Sequence, residues 1–435
     1  MNDALLAELT EWLRIPSIST GEGTAEDLER GAQWAADKVR GAGGSVDLVT
    51  IGGGNPLVVG DLAGPEGAPT VLIYGHYDVQ GEGDLSLWTT PPFEPTIRDG
   101  RLYGRGTADD KGNFFPLLYT ACELAKAGSL PVNVRVLLEG EEEVGGASVA
   151  EWVRADERGA DAAIVFDSGM EDENTPAITV GLRGIYQCNF TVRTGARDLH
   201  QGLYGGAVLG SLNALHRIVA AVLPDEHGVV RDELQVGIAP VADVERASWA
   251  RLTPGARLLA DAGARPVAPG AADEFYERTG ARPTVDLDYI EAGAPRTVLP
   301  AEAKATVTIR LAPGQELDVI KPEFERLMRE AAPEGAEIEF GGHTGAASFF
   351  DPESPVIRLA GQALARATGM ETAFVRSGGS IPVVADFAEK GIPTIVSGFS
   401  LPDDAFHAPD ESYRLASLEL GEAASRELLS ALAAV

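Results

Sequence analysis

Four short apolar runs, each followed within a short distance by a histidine or an acid, restrict this chain more than any other feature. Residues 70–74, 134–138, 162–166 and 394–396 are almost continuously apolar. They lack the alternation of a half-exposed strand, so they read as strands buried on both faces of a mostly parallel sheet. Helical spacing of Leu28, Ala32, Ala35 and Val39, and a second helix over about residues 112–127, separates strands from one another. The class is α/β, with a central sheet flanked by helices and ligands gathered at the carboxyl ends of the strands.

A length of 435 residues exceeds what one core fills, which favours two domains. From Gln187 the pattern changes to a strand through Arg193, a helix near 208–222, strands near Val285 and Ala305, a helix near 316–330 and a strand near Ile338. That order predicts an inserted α+β domain. Glycine-rich stretches at 181–184 and 341–345 bracket it as flexible joints, and Gly and Pro over 254–283 read as a long loop. The expected division is 1–185 and 343–435 for the α/β domain, with 186–342 inserted.

Charge and cysteine content narrow the chemistry. Lys and Arg number 35 against 66 Asp and Glu, a net charge of −31, which repels nucleic acid and anionic lipid and excludes both as expected partners. Two cysteines, Cys122 and Cys188, build neither a disulfide framework nor a thiolate metal site. The first twenty residues carry acids where a secretory signal carries Lys or Arg, and no segment approaches the roughly 20 apolar residues of a membrane span. A cytoplasmic protein is expected.

Metal-binding side chains fall just beyond the predicted strands: His76 and Asp78 after the first, Glu141 to Glu143 after the second, Asp167 after the third, and His407 shortly after the fourth. A glycine-rich turn over 104–112 presents Asp109 immediately before a helix. Imidazole and carboxylate are zinc donors at roughly 2.0–2.2 Å. A carboxylate can also bridge two ions roughly 3.5–4 Å apart, and Asp109 is the candidate bridge. Singly, each residue has an ordinary reading: a structural His, a solvated Glu run, a helix-capping Asp. Joint placement on one rim favours metal chemistry.

The same residues carry a resemblance. The stretches His76-Tyr77-Asp78-Val79-Gln80, the 104–112 turn, Glu139-Gly140-Glu141-Glu142-Glu143, Phe166-Asp167-Ser168, Asp198-Leu199-His200-Gln201-Gly202, Arg376-Ser377-Gly378-Gly379-Ser380-Ile381-Pro382 and His407-Ala408-Pro409 span nearly the whole chain. In this order the chain resembles the zinc-dependent exopeptidases that include carnosine dipeptidases, aminoacylases and succinyl-diaminopimelate desuccinylases. Gln80 and the 378–382 run are most similar to the dipeptidase branch.

The resemblance implies two Zn2+ ions per subunit, replaceable by Mn2+ or Co2+, with His76 and Asp167 on one, Glu143 and His407 on the other, and Asp109 shared. It implies that Asp78 orients His76 and that Glu142 is the general base for a water bridging the ions. The insert becomes a ferredoxin-like lid and dimerisation domain, with His200 reaching the partner subunit's active site to bind the oxyanion. Thr297, Arg310, His343 and Ser380 match family residues that grip a free substrate carboxylate. The implied enzyme is a homodimeric metallo-dipeptidase acting on dipeptides or short peptides.

Rival readings are an N-acyl amino acid deacylase of the same family and a non-catalytic zinc-binding homologue, against which Glu142 and five intact ligands argue. A dehydrogenase or aminotransferase would rest on Gly52-Gly53-Gly54, which no helix pattern follows. Three positions depart from the family pattern: Gly81 for Pro, Ser377 for the Glu of the dipeptidase branch, and Asp410 for Asn.

Overall fold

The strand Thr70–His76 lies at the centre of the larger sheet of a computed structural model that describes residues 2–379 and 381–435. It pairs in parallel with Asn133–Glu139 on one side and Ala162–Phe166 on the other, and Thr394–Ser397 adds a fourth parallel strand beyond Ala162–Phe166. Antiparallel strands extend this parallel centre: Leu57–Leu62 and Ser45–Val49 on one flank, Ala177–Leu182 on the other. The four central strands are buried along almost all their length. Both faces are covered there, and all four strands end on one rim.

Two compact units make up the chain: residues 1–180, 350–375 and 382–435 form one, and 181–349 with 376–381 the other. In the first, the helix Lys111–Lys126 buries Phe114, Phe115, Leu117 and Leu118, each contributing about 1.5–3 kcal/mol by leaving water. Gly75 permits this packing, because a Cβ there would stand 2.4 Å from the Phe114 ring. The helix Asp3–Leu13 starts at Asn2, whose side chain accepts from the N–H groups of Ala4 and Leu5. It docks through Trp12, which stacks on Trp34 at 5.2 Å between ring centroids.

The second unit follows the order β-α-β-β-α-β: Gly184–Arg193, Ser211–Ala220, Thr284–Glu291, Glu302–Leu311, Leu317–Ala331 and Glu337–Gly345. Its antiparallel sheet runs Thr284–Glu291, Glu302–Leu311, Gly184–Arg193, Glu337–Gly345. Tyr186, Cys188, Phe190 and Val192 alternate inward onto Leu215, Ile218, Phe324 and Met328, leaving Ile185 and Gln187 on the opposite face.

Two expectations are corrected here. Glycines 341–345 are not a joint but the end of the strand Glu337–Gly345. A Cβ at Gly342 would lie 1.8 Å from the Gln187 carbonyl oxygen, so close backbone approach, not flexibility, requires the glycine. Gly181 begins the second unit and does so inside the strand Ala177–Leu182. The 254–283 stretch is not all loop, since it contains the helix Gly255–Asp261 and the helical turn Glu277–Ala281.

Residues 376–381 join the second unit through Arg376, buried and bidentate to Glu245 at 2.6 and 3.0 Å, with further bonds to the carbonyls of Ala239 and Pro240. Among the described residues no helix is long and apolar enough to cross a membrane.

Candidate metal centre

His76 closes the strand Thr70–His76 and is fully buried. Its Nδ1 lies 3.0 Å from the backbone carbonyl of Asp78. A carbonyl only accepts, so Nδ1 carries a proton, and Nε2, which faces carboxylates, is the nitrogen that would ligate a cation on giving up its own proton. That Nε2 stands 3.1 Å from Asp109 Oδ1 and 3.9 Å from Asp167 Oδ1. Asp167 follows the strand Ala162–Phe166, the parallel neighbour of Thr70–His76, which is why two residues distant in sequence share a rim.

Across Asp109 a second cluster forms. His407 Nε2 is 2.9 Å from Asp109 Oδ2 and 3.1 Å from Glu143 Oε2. His407 sits on a loop where Ala405, His407 and Asp410 all have positive φ, near +60°, a conformation non-glycine residues adopt only when the surroundings impose it. The ligand atoms of His76, Asp109 and Asp167 lie within 4.8 Å of one another, as do those of Asp109, Glu143 and His407. Asp109 belongs to both sets.

Protonation follows from this crowding. Burial would raise Asp109, but hydrogen bonds to His407 and His76 outweigh it and hold the carboxyl below its ordinary range. Hydrogen bonds with Asp109 and Glu143 push His407 up to about 10. Burial raises Asp167 well above the carboxylate range despite His76, and raises Glu142, with Asp109 and Glu143 adding to the effect.

The donors fit divalent cations. They are imidazoles and carboxylates only, and Glu143 Oε1 is buried without a partner among the described residues while Gln80 donates to Oε2 at 2.8 Å.

Asp78 ties these parts together. Its Oδ1 is 3.4 Å from His76 Nδ1 and accepts the Glu142 N–H at 3.3 Å, while Oδ2 accepts the Glu143 N–H at 3.2 Å and the Ser19 hydroxyl at 2.6 Å. One carboxylate thus aligns a histidine and the turn carrying two glutamates.

Two supporting residues escaped the sequence reading. Ser19 is one. The other is Glu411, fully buried, whose Oε2 accepts from Arg105 Nη1 at 2.7 Å and Gly106 N–H at 3.0 Å, and whose Oε1 accepts from Ala108 and Asp109 N–H at 2.8 and 3.1 Å. It clamps the turn that presents Asp109. An acid four residues after His407 was the available signal, but its partners lie some 300 residues away.

Two of the departures also gain a reason. Gly81 N–H donates to Thr20 Oγ1 at 2.8 Å, a bond proline cannot make. Both oxygens of Asp410 accept from Thr89, at 2.8 Å from its N–H and 2.5 Å from its hydroxyl, where an asparagine has one oxygen.

The remaining predicted residues belong to the second unit. His200 accepts the Gly202 N–H on Nδ1 at 3.1 Å, and the neighbouring Gln201 N–H donates to the Thr297 carbonyl at 3.0 Å, so His200 and Thr297 adjoin. Arg310 pairs with Ile185 and His343 with Gln187, which places both on the open face of the four-stranded sheet. Ser380 lies outside the described residues.

Comparison with known proteins agrees with this geometry. The model of peptidase family M20/M25/M40 matches residues 72–431. A cysteinylglycine-S-conjugate dipeptidase of Corynebacterium striatum is 29% identical over 447 residues, covering 98% of this chain and 95% of that protein. The beta-Ala-His dipeptidase of Rattus norvegicus is 27% identical over 73% of this chain and 69% of its own length. Among solved structures, the M20 family metallo-carboxypeptidase Sso-CP2 from Sulfolobus solfataricus superposes with a TM-score of 0.84 at 25% identity, covering all of both chains.

Proposed function

Given that the chain belongs to peptidase family M20/M25/M40, a family of peptide-bond hydrolases, we propose that it is a cytoplasmic dipeptidase that holds two zinc ions and cleaves short peptides with a free carboxyl end. The observation carrying this reading is Asp109, whose two oxygens face His76 and His407 separately at 3.1 and 2.9 Å. His76 and Asp167 would hold one ion and Glu143 and His407 the second, with Asp109 available to both. When bound, such ions polarise the scissile carbonyl and make water more acidic.

Glu142 takes the proton of the attacking water and returns it to the leaving amine. Burial, which raises its carboxyl, suits a group that must both accept and release a proton near neutrality. Asp78 keeps His76 Nε2 turned toward the ligand cluster. Arg310, with Thr297, His343 and Ser380, takes the substrate's terminal carboxylate. His200 donates to the oxyanion in the partner subunit of a homodimer formed through the inserted domain, which also serves as the lid.

Replacing Glu142 with Ala should leave two ions per chain, counted by metal analysis, while kcat falls by about 10²–10⁴-fold. Near wild-type turnover in that variant would reject Glu142 as the base. A panel of dipeptides beside matched N-acyl amino acids separates peptidase from deacylase: faster turnover of the acylated set assigns the latter. Mixing Glu142→Ala and His200→Ala chains should restore activity in heterodimers, and its absence would remove His200 from the partner's site.

A further inference from the structure

Two guanidinium groups of the second unit, those of Arg183 and Arg310, stand close enough to repel each other. Arg183 links the strands Ala177–Leu182 and Gly184–Arg193, and its N–H donates to the Ser377 carbonyl at 3.2 Å. Among the described residues its side chain makes one hydrogen bond, from Nη1 to Thr284 Oγ1 at 3.2 Å. Nε is buried with no hydrogen-bond partner among the described residues, and Nη2 lies 3.0 Å from where a Cβ on Gly378 would be.

Thr284 is the register partner of Arg310 on the open face of the sheet, so the two arginines flank one threonine. Burial, then the positive charge of Arg310, pulls Arg183 down to about 10, against a smaller opposing pull from Asp286. Among the described residues neither guanidinium has an ion pair within 4.0 Å. Like charges so placed are unfavourable unless an anion joins them.

Space for that anion exists on the Arg183 side. A cavity of about 340 Å³ is walled by Arg183, Thr279, Thr284, Arg278 and Arg282, with Asp286 also on its lining but outside ion-pair distance of Arg183 among the described residues. Arg278 and Arg282 already share Glu274, at 3.0 and 2.9 Å, so among the described residues Arg183 is the arginine of that wall without an ion pair. Position 377 supplies none: Ser377 turns its Oγ to the Gly379 N–H at 3.1 Å, where a glutamate would have brought a carboxylate next to the Arg183 backbone.

We propose that Arg183, beside Arg310 and the Ser377–Gly378 turn, is a specificity-determining residue that binds a second carboxylate of the substrate, so that the preferred peptides end in Asp or Glu. This rests on Arg310 holding the α-carboxylate, as in the function proposed above. Arg183 then takes the side-chain carboxylate through the unbonded edge of its planar fork.

Two measurements on the full-length, metal-loaded protein test it. The first is the ratio of kcat/KM for Ala-Glu over Ala-Gln, near-isosteres that differ by one charge. A ratio of about tenfold or more is expected for a charge-assisted contact, falling toward unity both in Arg183→Gln and in Ser377→Glu, which provides an internal carboxylate. The second is calorimetric binding of glutamate against glutamine, which needs no turnover: glutamate should bind more tightly in the wild type, and both variants should lose the difference.

A wild-type ratio near unity, equal binding of the two amino acids, or a ratio that survives both substitutions would overturn the assignment. Selective glutamate binding without hydrolysis of any dipeptide would instead reject the peptidase reading and uphold the subsite. Ser377→Glu keeps the test decisive should Arg183→Gln fold poorly.

Discussion

Replacing Glu411 with glutamine changes one atom in a buried clamp, and the structure allows its cost to be worked through. All four partners of the carboxylate are donors: Arg105 and Gly106 on Oε2, Ala108 and Asp109 on Oε1. Burial pushes the Glu411 carboxyl up, yet a neutral group is no better suited, because an amide must turn an NH2 toward one pair of donors. Leaving Arg105 without a partner is the costlier choice, since its guanidinium is buried and charged. The amide therefore faces Ala108 and Asp109, orphaning two backbone N–H groups at about 1–3 kcal/mol each, or about 2–6 kcal/mol in all.

Those N–H groups belong to the turn that aims Asp109, so metal affinity should fall with stability, by about 10–100-fold as for other groups that orient ligands. Urea unfolding followed by tryptophan fluorescence measures the first effect, because Trp12, Trp34, Trp88 and Trp152 lie in the first unit and Trp249 in the second. The midpoint should drop with an unchanged slope. Chelator competition measures the second. A loss below about 1 kcal/mol, smaller than a single orphaned group, together with unaltered metal affinity, would refute the clamp.

Metal binding should release protons: His407, pushed up to about 10 by Asp109 and Glu143, is protonated at neutral pH and must lose that proton to ligate. Apparent affinity should therefore strengthen as pH rises, by about tenfold per unit for each proton displaced; titrations in buffers of different ionisation heat that detect no release would contradict this. Glu139, pushed up to about 8 mainly by burial, holds a proton in the folded metal-free protein that the unfolded chain loses near 4.5. Its contribution is present at low pH and is lost as pH climbs from about 4.5 to 8. Glu139→Gln should remove this decline and be more stable than the wild type at pH 8 by on the order of a few kcal/mol, and equal pH slopes in urea unfolding would show otherwise. Gly140→Ala would place a Cβ 2.3 Å from Tyr77 Oη, which donates to the Pro56 carbonyl. A loss of about 1–3 kcal/mol from overpacking is expected, with lower activity because residue 140 leads into Glu142; an unchanged melting curve would disprove the contact.

The parallel centre of the large sheet was legible because strands covered on both faces have to be apolar, and the ligand types that follow them mark their ends. His76, Asp167, His407 and the Glu141–Glu143 run stood out because they follow those strands and Asp109 because of its glycine-rich turn, while the choice of five ligands came from the family resemblance. The antiparallel flanks were harder to read: Ser45–Val49 is only partly buried and carries no continuous apolar signal. Glu411 and Ser19 were invisible because their roles consist of hydrogen bonds to distant backbone or side-chain groups, which no local period records. The 341–345 glycines misled because composition cannot distinguish a glycine that bends from one that lets a neighbouring strand approach.

Residues 376–381 have a consequence for how enzymes of this build can be re-engineered. The polypeptide passes from one unit to the other at 180, 349, 375 and 381, and the short excursion carries the guanidinium around which Glu245 is folded. Transplanting residues 181–349 alone would bring Glu245 to a host with an arginine of foreign position or none, a mismatch costing about 3–5 kcal/mol for a broken buried pair. A viable chimera needs two inserts cut from the same donor, so this unit is inherited as a split module rather than as one removable cassette.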